Sequence, residues 1–441
     1  MDPNKIPMPN QVKEEVNLGQ DTEKTPTQIT VQNREQAVDL VLRSFDVKLR
    51  ERFTTEGKNM SSKEFQEYLA FHGPEHSQKV EETTLKFLET VRNVDPSLIS
   101  KEDIDMAKIK ARGHDLVQKA LVAEDLAMRM RTRGAEESGI DIPANVKAEF
   151  TKREVTLPES GNERASADEI IKEIQRFVVR GADGTTKPVF EVDPVSVYND
   201  IALTLPGFNF AAKLPDGSVG LEVYQPFLTM DLASVPTDES KWQQELEKEG
   251  KREVSITGLA IASADLRGEM ASNNPEDFRQ SGDAEFREIM TTINREVENW
   301  QSIAPDRRAQ IAESIIGWKK SQTSFAKWQR VLFITSVDQN KIINSSEKSN
   351  EIKAALFKQF GLPEDDSVIK KEPGQGNFGD NIRYVENEYK RIENEYGLSK
   401  EVNQTDGEYK LARAAKIAET VKDDSKFEAL LKEIGYLKPI K

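Results

Sequence analysis

The sequence predicts an all-α, or mostly α, fold: a helical bundle with a small β-hairpin insertion and a helical C-terminal extension. Three observations carry this. Apolar residues recur at spacings of three and four, the signature of one helix face, through most long segments between about residues 36 and 335. Hydrophobic residues make up 37% and charged residues 32% of the 441 positions, with a mean hydropathy of -0.64, as expected of helices whose outer faces are rich in Glu, Lys and Arg. Short alternating runs, the period of a strand, are confined to residues 181–226.

In chain order, residues 1–33 carry Pro3, Pro7, Pro9 and Pro26 among few large apolar groups and read as disordered, without the apolar core of a secretory signal. A helix begins near Arg34, its buried face drawn by Ala37, Val38, Val41, Leu42, Phe45 and Leu49. A second places Val80, Thr84, Phe87, Leu88 and Val91 on one face between Val80 and Val94. A third runs from Asp103 past Ala123, with Ser100 as its N-cap and Asp103 three residues on. Gly134, Gly139, Pro143, Pro158 and Gly161 mark a loop-rich excursion, after which helix resumes from Ser166 to Val179. Residues 181–226 carry Gly and Pro punctuation and short alternating runs, such as 189–192 and 219–223, and a small hairpin is expected there. Residues 238–253 are highly charged and read as a solvated helix or insertion. An apolar segment then runs from Val254 to Leu266, with one acid, Asp265, near its end. Helices follow over residues 283–300 and 305–335.

Past Gln339 the composition turns polar. The chain therefore divides into a disordered segment 1–33, a main domain 34–338 and a helical C-terminal region 339–441. In the last, Ile382, Val385, Tyr389, Ile392 and Tyr396 form a heptad-like stripe over residues 382–396, which can pack on its own domain or pair with another copy of the chain. The stretch from Leu411 to Leu437 reads as two short amphipathic helices. Gly374, Gly376 and Gly379 satisfy a G-x-G-x-x-G pattern, but a charged run rather than a strand precedes them, so a hinge loop is the expectation.

The absence of cysteine excludes disulfides, thiolate zinc sites and cysteine nucleophiles, and fits a reducing cytoplasm. No stretch approaches the roughly 20 apolar residues that span a bilayer, so no membrane partner is expected. With 77 acidic and 62 basic residues the formal net charge is -15, which disfavours non-specific nucleic-acid binding. A small anionic substrate stays compatible with that charge if a bound cation reverses the local sign.

The chain has only three histidines, His72, His76 and His114, and the last is followed directly by Asp115. Neutral imidazole nitrogen beside carboxylate oxygen suits a borderline divalent cation. Pro74 breaks regular helix before it, which puts His76 at the head of the following helix, and His114-Asp115 falls within the next one. Asp265, flanked by Ala262, Ala264 and Leu266, should be buried, and a buried carboxylate needs a partner or a metal. Ordinary roles compete: surface or hydrogen-bonded histidines, and an ion pair of Asp265 with Arg252 or Arg267. Arg112 and Lys119 flank the His-Asp pair, either as phosphate contacts or as solvated helix charges.

The order His…His-Asp…Asp resembles the HD-domain superfamily of metal-dependent phosphohydrolases. Further segments are similar to a less-characterised bacterial branch of it: Phe71-His72-Gly73-Pro74-Glu75-His76, His114-Asp115-Leu116-Val117-Gln118, Asn162-Glu163-Arg164-Ala165-Ser166-Ala167, Thr204-Leu205-Pro206-Gly207-Phe208, Gln225-Pro226, and Ala264-Asp265-Leu266 followed by Pro275-Glu276-Asp277-Phe278 and Gly282-Asp283. The match covers roughly residues 36–335, in order. It implies an all-helical HD domain and one divalent cation (Mn, Mg, Fe, Co, Ni or Zn) held by His76, His114, Asp115 and Asp265. Asp231 is a rival to Asp265 for the last position. Glu163 would orient water or support a ligand, and His72 would face substrate or stand behind the ligands. Centres with more metals need additional histidines, and none follows His114. The implied activity is hydrolysis of a phosphomonoester or phosphodiester, a small phosphorylated substrate of nucleotide class. The alternative is a catalytically inactive HD-type ligand sensor or scaffold.

Overall fold

The computed structural model describes residues 28–56, 73–117, 161–202, 204, 255–267, 336–338, 340–360, 393–399 and 404–423, with single positions at 148, 152, 284, 333, 387, 390 and 391. Strand β1 (Ile29–Val31) leads into helix α1 (Arg34–Glu56). Helices α2 (Pro74–Val94), α3 (Lys101–Gly113) and α4 (Gly161–Ile174) follow, then strands β2 (Phe177–Arg180) and β3 (Thr186–Pro188). Helices α5 (Pro194–Ala202), α6 (Ile256–Arg267), α7 (Lys341–Ser345), α8 (Ser349–Gln359) and α9 (Asp406–Thr420) complete the described elements. The fold is mostly helical with one small sheet, as the sequence predicts.

Local chemistry sets the helix starts. Gly73 is the N-cap of α2 and Pro74 its first residue, a position where the missing amide proton costs nothing. Ser100 and Asp103 make the expected capping box at α3: Ser100 Oγ accepts from the Asp103 amide at 3.0 Å, and Asp103 Oδ2 accepts from the Ser100 amide at 2.9 Å. The stripe of α1 buries Ala37, Val38, Val41, Phe45 and Leu49 as its spacing requires. Helix α6 is apolar nearly all round and is buried accordingly from Leu259 through Ala264.

Four sequence expectations are corrected. Residues 29–31, within the segment read as disordered, form β1 and pair in parallel with β2, Ile29 opposite Phe177. The helix expected from Ser166 to Val179 starts earlier, at Gly161, and ends at Ile174, because Phe177, Val178 and Val179 find strand partners on both sides. The hairpin expected within residues 181–226 begins earlier, joining β2 to β3 from Phe177, and it closes at Asp183 and Gly184, where a φ of 79° favours glycine. Residues 194–202, read as punctuation, form α5: Asp193 Oδ1 accepts from the Val195 amide at 3.2 Å and Pro194 takes the first helical position.

A fifth correction bears on function. Helix α3 does not run past Ala123; it stops at Gly113, and His114-Asp115 lie in the turn that follows, with Leu116 N bonded to the Gly113 carbonyl at 3.2 Å. Tertiary contacts override the continuing apolar pattern. Gly113 lies against Ile170 and Phe45, and Ser166 Oγ of α4 accepts from the Val117 amide at 3.0 Å.

Helix α3 is the hub. It packs on α1, α2, α4, α5 and α6. Ile109 joins one apolar cluster with α1, the sheet, α4 and α5, while Ala107 joins a second with Phe87, Leu88, Val91, Leu259 and Ala260. Ile343, Ile352 and Leu356 of α7 and α8 belong to that second cluster. The Tyr198 hydroxyl of α5 donates to Asp168 of α4. In the C-terminal region, Arg413 of α9 reaches Glu393 Oε1 at 3.0 Å, tying a charged residue between stripe positions Ile392 and Tyr396 to α9. The remaining expectations, namely the 134–160 excursion beyond residues 148 and 152, the run 219–223, the charged segment 238–253, the bulk of the helices over 283–300 and 305–335, the glycine pattern at 374–379 and the last amphipathic helix, lie outside the described residues.

Candidate metal centre

Three helix ends meet. His76 is in the first turn of α2, His114 directly follows α3, and Asp265 is near the C-terminal end of α6. Helices α2, α3 and α6 pack mutually. Val80, Ala111 and Ile261, each about one turn from one of these residues, form a small apolar cluster with Ala264, which directly precedes Asp265.

His76 Nε2 stands 3.0 Å from Asp265 Oδ1 and 3.7 Å from Asp115 Oδ2. His114 Nε2 stands 3.1 Å from Asp115 Oδ2 and 3.4 Å from Asp265 Oδ1. The two rings are 5.5 Å apart between centroids. Atoms bound to one cation at about 2.0–2.2 Å sit about 3 to 3.6 Å from one another in tetrahedral or octahedral arrangement, and these separations fall in or next to that range. Ligand atoms of His76, His114 and Asp265 all lie within 4.8 Å of one another, so this buried group could hold a metal ion, with Asp115 beside it.

The tautomer of His114 follows from its surroundings. Its Nδ1 lies 2.7 Å from the Ala111 carbonyl, which can only accept, so Nδ1 carries the proton and donates. Nε2 is then left facing the two carboxylates, buried and without a hydrogen bond in acceptable geometry. A lone pair against two anionic oxygens is tolerable only with positive charge between them, whether a second proton or a metal ion. Without a metal, burial opposes a charged ring, but Asp115 and Asp265 outweigh it and hold the His114 pKa well above the ordinary histidine value. Asp265 responds in the opposite sense: burial pushes its carboxyl up, and the two imidazoles pull it below the usual carboxylate value.

The imidazoles are more deeply buried than the carboxylates. The side chains of His76 and His114 are 4% and 1% exposed, those of Asp115 and Asp265 16% and 12%. Asp265 faces the histidines, and Arg252, one ordinary partner considered for it, lies outside the described residues. So do His72, the rival ligand Asp231 and Lys119. Glu163 is half-buried in the first turn of α4.

Arg112 is neither a phosphate contact nor a solvated charge. Its guanidinium reaches Glu81 Oε2 of α2 at 2.6 Å and Asp46 Oδ1 of α1 at 2.7 Å, tying three helices together one turn from the site. Glu81 and Asp46 carried no local sequence signal, because each partner is remote in the chain. Lys110 did carry one: it shares a helix face with buried Ala107 and Ala111, and a charge on a buried face requires a partner. Against known proteins the chain matches no family model, no curated protein and no solved structure.

Proposed function

We propose that the chain is a metal-dependent phosphohydrolase of the HD type, hydrolysing a phosphomonoester or phosphodiester with a nucleotide as the substrate class. The observation that supports this is the meeting of two imidazoles and two carboxylates, from three helices distant in sequence, around a space that suits one cation. His76, His114, Asp115 and Asp265 would hold one divalent ion from among Mn, Mg, Fe, Co, Ni and Zn, and the mixed nitrogen and oxygen donors favour the borderline members. Bound there, such an ion would acidify a water and polarise a phosphoryl oxygen.

The protein's own groups supply the rest. The Ala111 carbonyl fixes the His114 tautomer and leaves Nε2 as donor to the metal. Asp115 and Asp265, the more exposed of the four groups, would border the positions left for water and ester. Left bare, these two carboxylates repel an anionic ester, so turnover depends on added metal. His72 and Glu163 take the substrate-facing and water-orienting roles that the family pattern gives them.

The test combines elemental analysis with hydrolysis of bis(p-nitrophenyl) phosphate and a nucleotide panel, after chelation and after Mn²⁺ is restored. Wild-type activity returns with the metal. His114→Ala loses the ion and about 100-fold or more of the activity, the upper end of what disturbing a metal shell costs. Full metal content and turnover in His114→Ala would overturn the site. Metal uptake without turnover on any panel member would favour the sensor or scaffold reading.

A further inference from the structure

We propose that Asp200 is a positioning residue for this centre, setting where Asp265 stands relative to the two histidines; the inference rests on the site reading above. Lys110 lies on α3 one turn before His114, on the same face. Its ammonium donates to Asp200 Oδ2 at 2.5 Å and to Ser196 Oγ at 3.0 Å, both on α5. The other oxygen of Asp200 accepts from Ser255 Oγ at 2.6 Å. Ser255 is in turn the cap of α6: its hydroxyl accepts from the Gly258 amide at 2.8 Å and its carbonyl from the Leu259 amide at 3.0 Å. One carboxylate therefore joins the helix that presents His114 to the capping residue of the helix that presents Asp265. The pair is closed to solvent, with side chains 6% and 2% exposed.

The geometry makes this joint a register device. From Ser255 to Asp265, α6 is a rod of roughly 15 Å at about 1.5 Å per residue. The residues buried along the way are apolar, Leu259, Ala260, Ile261, Ala262 and Ala264, with packing that is not directional, apart from Ser263, whose hydroxyl donates to the Leu259 carbonyl within the helix at 2.6 Å. Short hydrogen bonds at its head are directional, so they select the axial position of the rod and hence of the carboxylate at its far end. A metal site tolerates displacement of only about 0.5 Å before its ligands lose productive geometry.

A purely stabilising ion pair predicts a different outcome, because a buried pair can be replaced by apolar side chains with little loss of stability. The double variant Lys110→Met/Asp200→Leu removes the joint and keeps the volume. Full-length protein labelled with ¹⁵N-histidine gives signals from only three rings. In metal-free protein the double variant is expected to melt within a few degrees of wild type while the ring-nitrogen shifts of His76, which faces Asp265, move away from their native values. Mn²⁺ affinity is expected to fall about tenfold or more. Native His76 shifts together with native Mn²⁺ affinity in the folded variant would overturn the role of Asp200. Wild-type protein that takes up no Mn²⁺ would overturn the metal reading alone, and the metal-free spectra would still decide the positioning role. Should the double variant fail to fold, Ser255→Gly, which keeps much of the cap and loses the link to Asp200, gives the same two-way decision from the same spectra.

Discussion

A methyl group on Gly113 would stand 2.7 Å from Ile170 Cγ1, 2.9 Å from Ile170 Cδ1 and 2.9 Å from Phe45 Cε2. Ile170 and Phe45 are fully buried, so neither has free space to retreat into. Helix propensity alone would reward alanine over glycine by about 1 kcal/mol, but overpacking a closed core costs about 1–3 kcal/mol, so the steric effect wins. Gly113→Ala is expected to lower the urea midpoint, corresponding to a net loss of up to about 2 kcal/mol. Because His114 is the next residue, the same substitution should also weaken metal uptake. An unchanged midpoint would mean that α3 and α4 separate more easily than this packing implies. The two charged residues of the same turn act in opposite directions, Lys110 toward α5 and Arg112 toward α1 and α2, and the Ala111 carbonyl between them holds the imidazole.

At the scale of elements, Arg112 is the clamp between α1, α2 and α3. Burial pushes the Glu81 carboxyl above its ordinary value although Arg112 pulls it down, which shows how far this pair is withdrawn from water. Arg112→Met leaves Glu81 buried without its cation and should cost about 3 kcal/mol, whereas Arg112→Met/Glu81→Met should recover much of the loss. A double-mutant cycle by chemical denaturation measures the coupling, and additive losses would show that the pair does not act as a unit. The sequence made the helix heads legible where a short-range signal existed: Pro74 before His76, and Ser100 with Asp103. The signal for α5 was present too, in Asp193 followed by Pro194, but the same residues read as turn punctuation. What was illegible depended on remote partners. Phe177, Val178 and Val179 continue a helical pattern until β1, from far earlier in the chain, pairs with them. Leu116 and Val117 likewise extend the α3 pattern until Ser166 captures the backbone at Val117. Of the candidate site, the residue types and the head of α2 at His76 were readable, whereas the end of α3 at His114 and most of the groups that hold the site in place were not.

At the scale of the whole molecule, two large apolar clusters among the described residues and a small third one draw on α3, and charged groups fasten the cluster built on α1 and α4 from outside. Lys48 of α1 lies 3.2 Å from Glu169 Oε2 and 3.1 Å from Glu173 Oε2 on α4, and Arg176 holds Glu173 from the other side at 3.0 Å. Burial raises both carboxyls, but the Lys48 ammonium, joined by Lys172 at Glu169 and by Ser44 and Arg176 at Glu173, outweighs it and leaves both below the ordinary glutamate value of 4.5. The unfolded chain therefore takes up protons on these residues at a higher pH than the folded chain. Their contribution to stability is complete above the unfolded value, and it is lost as pH falls through the lower, folded values. Lys48 and Glu169 are each 34% exposed, so solvent screening keeps the effect small, about 1 kcal/mol at neutral pH. Lys48→Met should accordingly unfold at lower urea than wild type at pH 7, and the difference should shrink as pH drops through the acidic range where Glu169 and Glu173 become protonated. Urea titrations at a series of pH values in chelator, which removes the metal centre from the comparison, test this. A gap between the two proteins that stays constant down to full protonation would show that Lys48 acts through its aliphatic stem rather than its charge.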